Sequence, residues 1–124
     1  MNAKRAVALV GLVLLCATLT RAHAQLCHGI PVYQGARLDT AETNFARAIG
    51  GADAYCYRTE DGVEKVTAFY RKQSGLIFLG GDTTGARFIH ESDNYRVYIV
   101  ITSPWPSAKT GELNRDTSVN LIKE

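Results

Sequence analysis

The sequence predicts an α+β domain, an antiparallel sheet of four or five strands with two helices packed on one face. Three observations carry this expectation. Two stretches in the first half space apolar residues at three- and four-residue steps, and most of the second half alternates with period two. The alternating stretches are joined by turns too short for a crossover, so neighbouring strands run antiparallel.

An extended start, Ile30-Pro31-Val32-Tyr33-Gln34-Gly35-Ala36, leads into a helix expected over 39–49. Leu38, Ala41, Phe45, Ala48 and Ile49 form its apolar stripe, Asp39 with Glu42 makes a capping box, and Gly50-Gly51 ends it. Ala54-Tyr55-Cys56-Tyr57-Arg58 is a short aromatic-rich strand. The second helix puts Val63, Val66, Phe69 and Tyr70 on one stripe, with Asp61 and Glu64 as a second capping box and Arg71-Lys72 opposing the dipole in the last turn.

Beyond Ser74-Gly75 the chain is strand-like. Leu76–Leu79 is a short apolar run, Gly80–Gly85 a loop by composition, and Ala86–His90 a strand. Glu91–Asn94 turns the chain into 95–102, with Tyr95, Val97, Ile99 and Ile101 on one face and Arg96, Tyr98, Val100 and Thr102 on the other. Pro104 and Pro106 end that strand because neither donates to a ladder. Lys109–Glu112 is a turn, and 117–122 is the terminal strand.

The N-terminus dictates where this domain begins. Lys4 and Arg5 precede an apolar run from Ala6 to Cys16, and a more polar stretch closes on Ala22-His23-Ala24. This three-part layout is that of a cleavable secretory signal over residues 1–24, leaving a single domain over 25–124 in the periplasm or outside the cell. The run is shorter than the roughly 20 apolar residues of a spanning helix, which counts against an uncleaved anchor and leaves membrane contact to the export step. Cys16 raises a lipoprotein alternative, and Leu15, where a small residue is wanted, argues against it.

Of 14 basic and 12 acidic residues, Lys4, Arg5 and Arg21 belong to the leader, so the mature part has 11 basic and 12 acidic residues and a net charge of −1. That balance lacks the basic stripe a nucleic-acid partner requires. About 100 residues suffice for one domain and not for two.

Cys27 and Cys56 remain after cleavage, in a compartment where thiols oxidise, and their pairing would be unique. A Cys27–Cys56 disulfide is therefore expected, contributing about 3.5 kcal/mol in the chain-entropy picture. The alternative, a metal site of Cys27, His28, Cys56 and His90, has no ligand-spacing signature.

No catalytic or cofactor motif stands out, and no cofactor is implied. His28 and His90 have no nucleophile elbow near them. Helix capping accounts for Glu60, Asp61 and Glu64, and a turn for Glu91 and Asp93. Gly80–Gly85 lacks the lysine and following helix of a phosphate loop. If Val97, Ile99 and Ile101 face the helices, Arg96 and Tyr98 face away, joined by Arg87, Tyr55 and Tyr57, a composition that binding patches favour. Trp105, held between two prolines, is a further candidate anchor.

Val32-Tyr33-Gln34-Gly35-Ala36, Tyr57-Arg58-Thr59-Glu60-Asp61 and Val66-Thr67-Ala68-Phe69-Tyr70 together resemble the Tyr-x-Gly-Ala start, Tyr-x-Thr-x-Asp turn and Val-x-x-Phe-Tyr helix of a family of small exported bacterial proteins without known activity. Gln34 stands where such proteins commonly carry proline. The resemblance implies export and an α+β domain, and it transfers no activity or catalytic residue.

The expected function is a non-enzymatic domain that binds another molecule of the envelope or the extracellular space. Two alternatives stand beside it: a small hydrolase using Asp82, Glu91, Asp93 and His90, and an inhibitor of an exported enzyme such as lysozyme.

Overall fold

The computed structural model describes residues 24–50 and 53–124. The expected leader before Ala24, and Gly51 at the first helix's expected stop, lie outside the described residues. Leu26–Cys27 (β1) and Ile30–Pro31 (β2) pair as a small hairpin. Its two central residues, His28 and Gly29, have φ of 53° and 79°, the pair of positive values that a type I′ turn demands. Arg37–Leu38 (β3) precedes the helix Thr40–Gly50 (α1), followed by Asp53–Thr59 (β4) and the helix Val63–Arg71 (α2). Ile77–Asp82 (β5), Gly85–Glu91 (β6) and Arg96–Thr102 (β7) form a meander, Trp105–Pro106 (β8) pairs with Leu113–Asn114 (β9), and Thr117–Lys123 (β10) ends the chain's order.

The main sheet has six strands in the order β3-β4-β10-β7-β6-β5, all antiparallel. This corrects the expected four or five. β3 is only two residues long, too short to show alternation in sequence. The expected Gly80–Gly85 loop is also corrected, because most of it is strand, turning only at Thr83-Thr84. Its glycines answer to close backbone approach: a Cβ on Gly81 would lie 2.7 Å from the Gly85 carbonyl oxygen, and one on Gly85 would lie 2.7 Å from that of Ile101.

Pleating separates the sheet into two faces. On the closed face Tyr57, Val119, Leu121, Val97, Ile99, Ile101 and Phe88 are buried together with Val66 and Tyr70 of α2 and with Cys27, Ile30 and Val32 of the N-terminal hairpin and the segment after it. Fully burying one such aliphatic or aromatic side chain contributes about 1.5–3 kcal/mol, so this face carries most of the domain's stability. Tyr33 fixes the hairpin segment over α2, its hydroxyl donating to Asp61 at 2.6 Å while its amide donates to the Tyr70 hydroxyl at 3.2 Å.

The two helices do not share that face. α1 lies beside β4, where Thr43 Oγ1 accepts from the Cys56 amide at 2.9 Å, and the Asp39 amide donates to the Cys56 carbonyl at 2.9 Å. Its expected apolar stripe is also corrected: Glu42 and Thr43 are buried, whereas Leu38 and Ile49 are exposed. The helix occupies the outer side of a strand whose backbone groups need partners, so its polar residues turn inward. Asp39 caps α1 as expected, accepting from the Glu42 amide at 3.0 Å. The expected Asp61–Glu64 capping box is corrected: α2 starts at Val63, its N-cap is Gly62 with no side-chain cap, and Asp61, one residue earlier, accepts from Tyr33 instead.

Candidate functional site

The second face of the sheet carries the candidate site. Registers align Ala54, Ile122, Tyr98, Ile89 and Ile77 in one row across β4, β10, β7, β6 and β5. The adjacent row runs Cys56, Asn120, Val100, Arg87 and Gly80. Arg96 follows two residues before Tyr98 on the same face and pairs across to Glu91. Arg87 and Tyr98 are therefore diagonal cross-strand neighbours, about 7–8 Å apart at their Cα atoms. An apolar row with a tyrosine at its centre is bracketed by an arginine on either side.

Of the expected binding residues, Arg87, Arg96 and Tyr98 share this face. Arg87 and Arg96 are exposed and Tyr98 is half-buried. Tyr55 and Tyr57 do not join them. Odd-numbered residues of β4 point to the closed face, where Tyr57 is 4% exposed in the core and Tyr55 packs edge-on against His28 at 5.4 Å beneath the Arg47 guanidinium. Trp105 borders the second face, but it is buried as a wall and not a projecting anchor.

Trp105 and α1 enclose one end of this face as a cleft of about 280 Å³, floored by Cys56, Asn120 and Ile122. Thr102 connects it to a hollow of about 260 Å³ between Arg87 and the side-chain-free surfaces of Gly80, Gly81 and Gly85. The wall is held by two networks. Glu42 accepts from Ser107 Oγ at 2.8 Å and from the Ala108 amide, fastening the β8–β9 hairpin to α1. Arg58 donates to Asp116 at 2.7 Å and Asp39 at 3.1 Å, with its guanidinium 5.1 Å from the centre of the Trp105 ring, whose Nε1 also donates to Asp116 at 2.9 Å.

Burial opposes ionisation of Asp116, yet hydrogen bonds from Arg58 and Trp105 outweigh it and hold this carboxyl below the ordinary 3.8. The Asp116 bond in turn raises the pKa of Arg58. Arg58 is thus fully engaged. Ion pairs among the described residues link Arg47 to Asp53, Arg58 to Asp39 and Asp116, and Lys65 to Asp61; Arg87 and Arg96 are in none of them, and Arg96 has Glu91 directly across the ladder.

The expected disulfide is absent, and both cysteines are unbridged and buried. Cys27 belongs to the closed-face core, whereas Cys56, adjacent to core-facing Tyr57, points to the second face and lines the cleft. The sheet backbone stands between them. Burial raises the pKa of Cys27, and burial followed by the carboxylates of Asp39 and Glu42 pushes that of Cys56 up to about 12. Neither thiol is therefore activated as a nucleophile.

The groups considered for catalysis or metal binding are dispersed. His28 Nε2 lies 3.0 Å from the Asp53 carbonyl oxygen and His90 Nδ1 3.0 Å from that of Gly75. Asp82 accepts from the amide and hydroxyl of Thr84 in the β5–β6 turn, which lowers its pKa, while Glu91 and Asp93 lie at the other end of β6. Six residues of strand separate those ends by about 20 Å, beyond the roughly 5–9.5 Å of paired glycosidase carboxylates, so Asp82 pairs with neither, whereas His90, Glu91 and Asp93 lie at one end of β6. No three of the described histidine, cysteine, aspartate or glutamate side chains are gathered to hold a metal ion, and no described helix is long and apolar enough to cross a membrane.

Asn120, Ile122, Val100 and Thr102 complete the site. Alternation along 95–102 places Val100 and Thr102 beside Tyr98, but Asn120 and Ile122 join them only because β10 inserts between β4 and β7. Together these features make an α+β domain with one sheet face closed by a core and the other carrying Tyr98 between Arg87 and Arg96. Compared with known protein families, curated proteins and solved structures, the chain matches none.

Proposed function

We propose that the protein is an exported, non-enzymatic binding domain of the periplasm or extracellular space, and that its second sheet face holds another molecule of that environment. The observation that carries this reading is the apolar row centred on Tyr98 and flanked by Arg87, which has no ion-pair partner among the described residues, and by Arg96, beside the cleft that α1 and Trp105 enclose at one end of the same face. Tyrosine and arginine supply large contact area and directed hydrogen bonds at little ordering cost. The ligand expected here has an apolar body and an acidic group.

Export rests on the leader layout, with mature protein beginning at Gln25. Unbridged cysteines are compatible with it, because burial and raised pKa values slow thiol oxidation even where the surroundings favour it.

The test is titration of the mature protein with lysozyme, soluble peptidoglycan fragments and anionic phospholipid vesicles, followed by amide chemical shifts. Binding should perturb Tyr98, Val100 and Asn120, and Tyr98→Ala with Arg87→Ala should weaken it at least tenfold while thermal unfolding stays within a few degrees. Failure of every probe, or binding unaffected by both changes, would overturn the proposal.

A further inference from the structure

A second surface lies at the edge of the sheet. β5 is terminal in the strand order, so one side of its backbone has no neighbouring strand. The opposite edge is β3, only two residues long. On β5 the consecutive residues Ile77, Phe78 and Leu79 are 54%, 37% and 53% exposed, whereas the other large exposed apolar residues are scattered. Natural edge strands are guarded by charge, proline, bulges or cover. From Gly75 to Gly81 there is neither a charged residue nor a proline, and the guard that exists is a shift of register between Phe78 and Gly80 that leaves Leu79 as the extra residue.

The charges around this edge are of one sign over most of its length. The Arg71 guanidinium stands 3.9 Å from the centre of the Phe78 ring on the closed-face side, Lys72 caps the same helix, and Arg87 pairs with Gly80 on the other side. None of the three has an ion-pair partner among the described residues. Asp82, at the far end of the strand, is the one acid on β5 and is already hydrogen-bonded within its turn.

We infer that β5 is a docking edge that receives an extended, acidic and apolar segment of a different protein as an added antiparallel strand. Main-chain hydrogen bonds would continue the sheet, apolar side chains would cover Ile77 and Leu79, and carboxylates would meet Arg71, Lys72 and Arg87. A second copy of this chain is the poorer occupant. Two-fold pairing of β5 with itself brings the arginines around Phe78 and Gly80 of both copies to one seam, like charge near like.

The probe is a capped octapeptide of four central valines flanked by two glutamates at each end, compared with its lysine-flanked counterpart at low salt. The glutamate peptide should bind at least tenfold more tightly and shift amides of residues 76–82. Leu79→Lys, a change at an exposed position, should weaken it at least tenfold with unfolding unchanged, and Arg71→Glu with Lys72→Glu should reverse the charge preference. Equal affinity for both peptides, or shifts confined to Tyr98 and Val100, would overturn the inference. A dimer in sedimentation velocity that Leu79→Lys dissolves would also overturn it, assigning the edge to a second copy.

Discussion

Arg58 shows how much one side chain organises. Two carboxylates, an asparagine and an indole converge on it from positions 19 to 58 residues away in sequence, or pack beside it, joining the α1 cap to the β9–β10 connection. Arg58→Ala would leave Asp116, whose side chain is only 7% exposed, with one donor instead of two. A charged group left short of a partner at that burial costs about 2–3 kcal/mol. Urea unfolding should show that loss for Arg58→Ala and a smaller one for Arg58→Lys, which keeps the charge but cannot satisfy both carboxylates at once. In sequence Arg58 is one more strand residue. Its role is invisible there because none of its partners is a neighbour in the chain, and their approach depends on β3 and β10 flanking β4.

The element that departs furthest from expectation is α1. Its limits are legible, since Asp39 caps it and a glycine ends it, but its buried side is not. The spacing of Leu38, Phe45 and Ile49 suggests an apolar contact, while the tertiary demand is for polar partners to the exposed side of β4. Thr43 meets that demand, so Thr43→Val, nearly isosteric, leaves the buried Cys56 amide unsatisfied and should cost about 2 kcal/mol in urea unfolding. Thr43→Ser keeps the hydroxyl and should lose well under half as much. α2 behaves more simply because its apolar stripe and its burial coincide: Val63, Val66 and Tyr70 are all buried. The β6–β7 hairpin is legible through β7, which alternates strictly, so that a one-residue slip would carry Val97, Ile99 and Ile101 out of the core.

For the whole molecule, protonation should set the limits of stability. Burial, followed by its neighbours, pushes Tyr57 up to about 12, Cys56 is pushed to about 12 by burial, and the bond to Asp61 does the same for Tyr33. The unfolded chain releases these protons nearer the ordinary 9.0 and 10.0, so it holds fewer of them than the native state in alkali. Stability is therefore fully present below about pH 9 and is lost as pH rises from there through about 12. At the acid end the lowered pKa of Asp116 acts in the opposite sense, its contribution present above 3.8 and lost as pH falls below it. Urea midpoints measured across pH should fall at both ends, and Tyr33→Phe should make the alkaline fall shallower.

The α+β class, where both helices fall in the chain, the long strands β4, β6, β7 and β10 and the outward alternation of Arg96 and Tyr98 are legible in the sequence, because these follow from local periodicity and turn chemistry, whereas the two-residue strands are too short to show a period. Tertiary structure alone decided which strands lie side by side. Inserting β10 between β4 and β7 completed the site with Asn120 and Ile122, and strand parity sent Cys56 away from Cys27 and Tyr57 into the core. The physical reason is that a side chain's partners across a sheet are set by strand order and register, which arise from non-local pairing and leave no mark on any short stretch of chain.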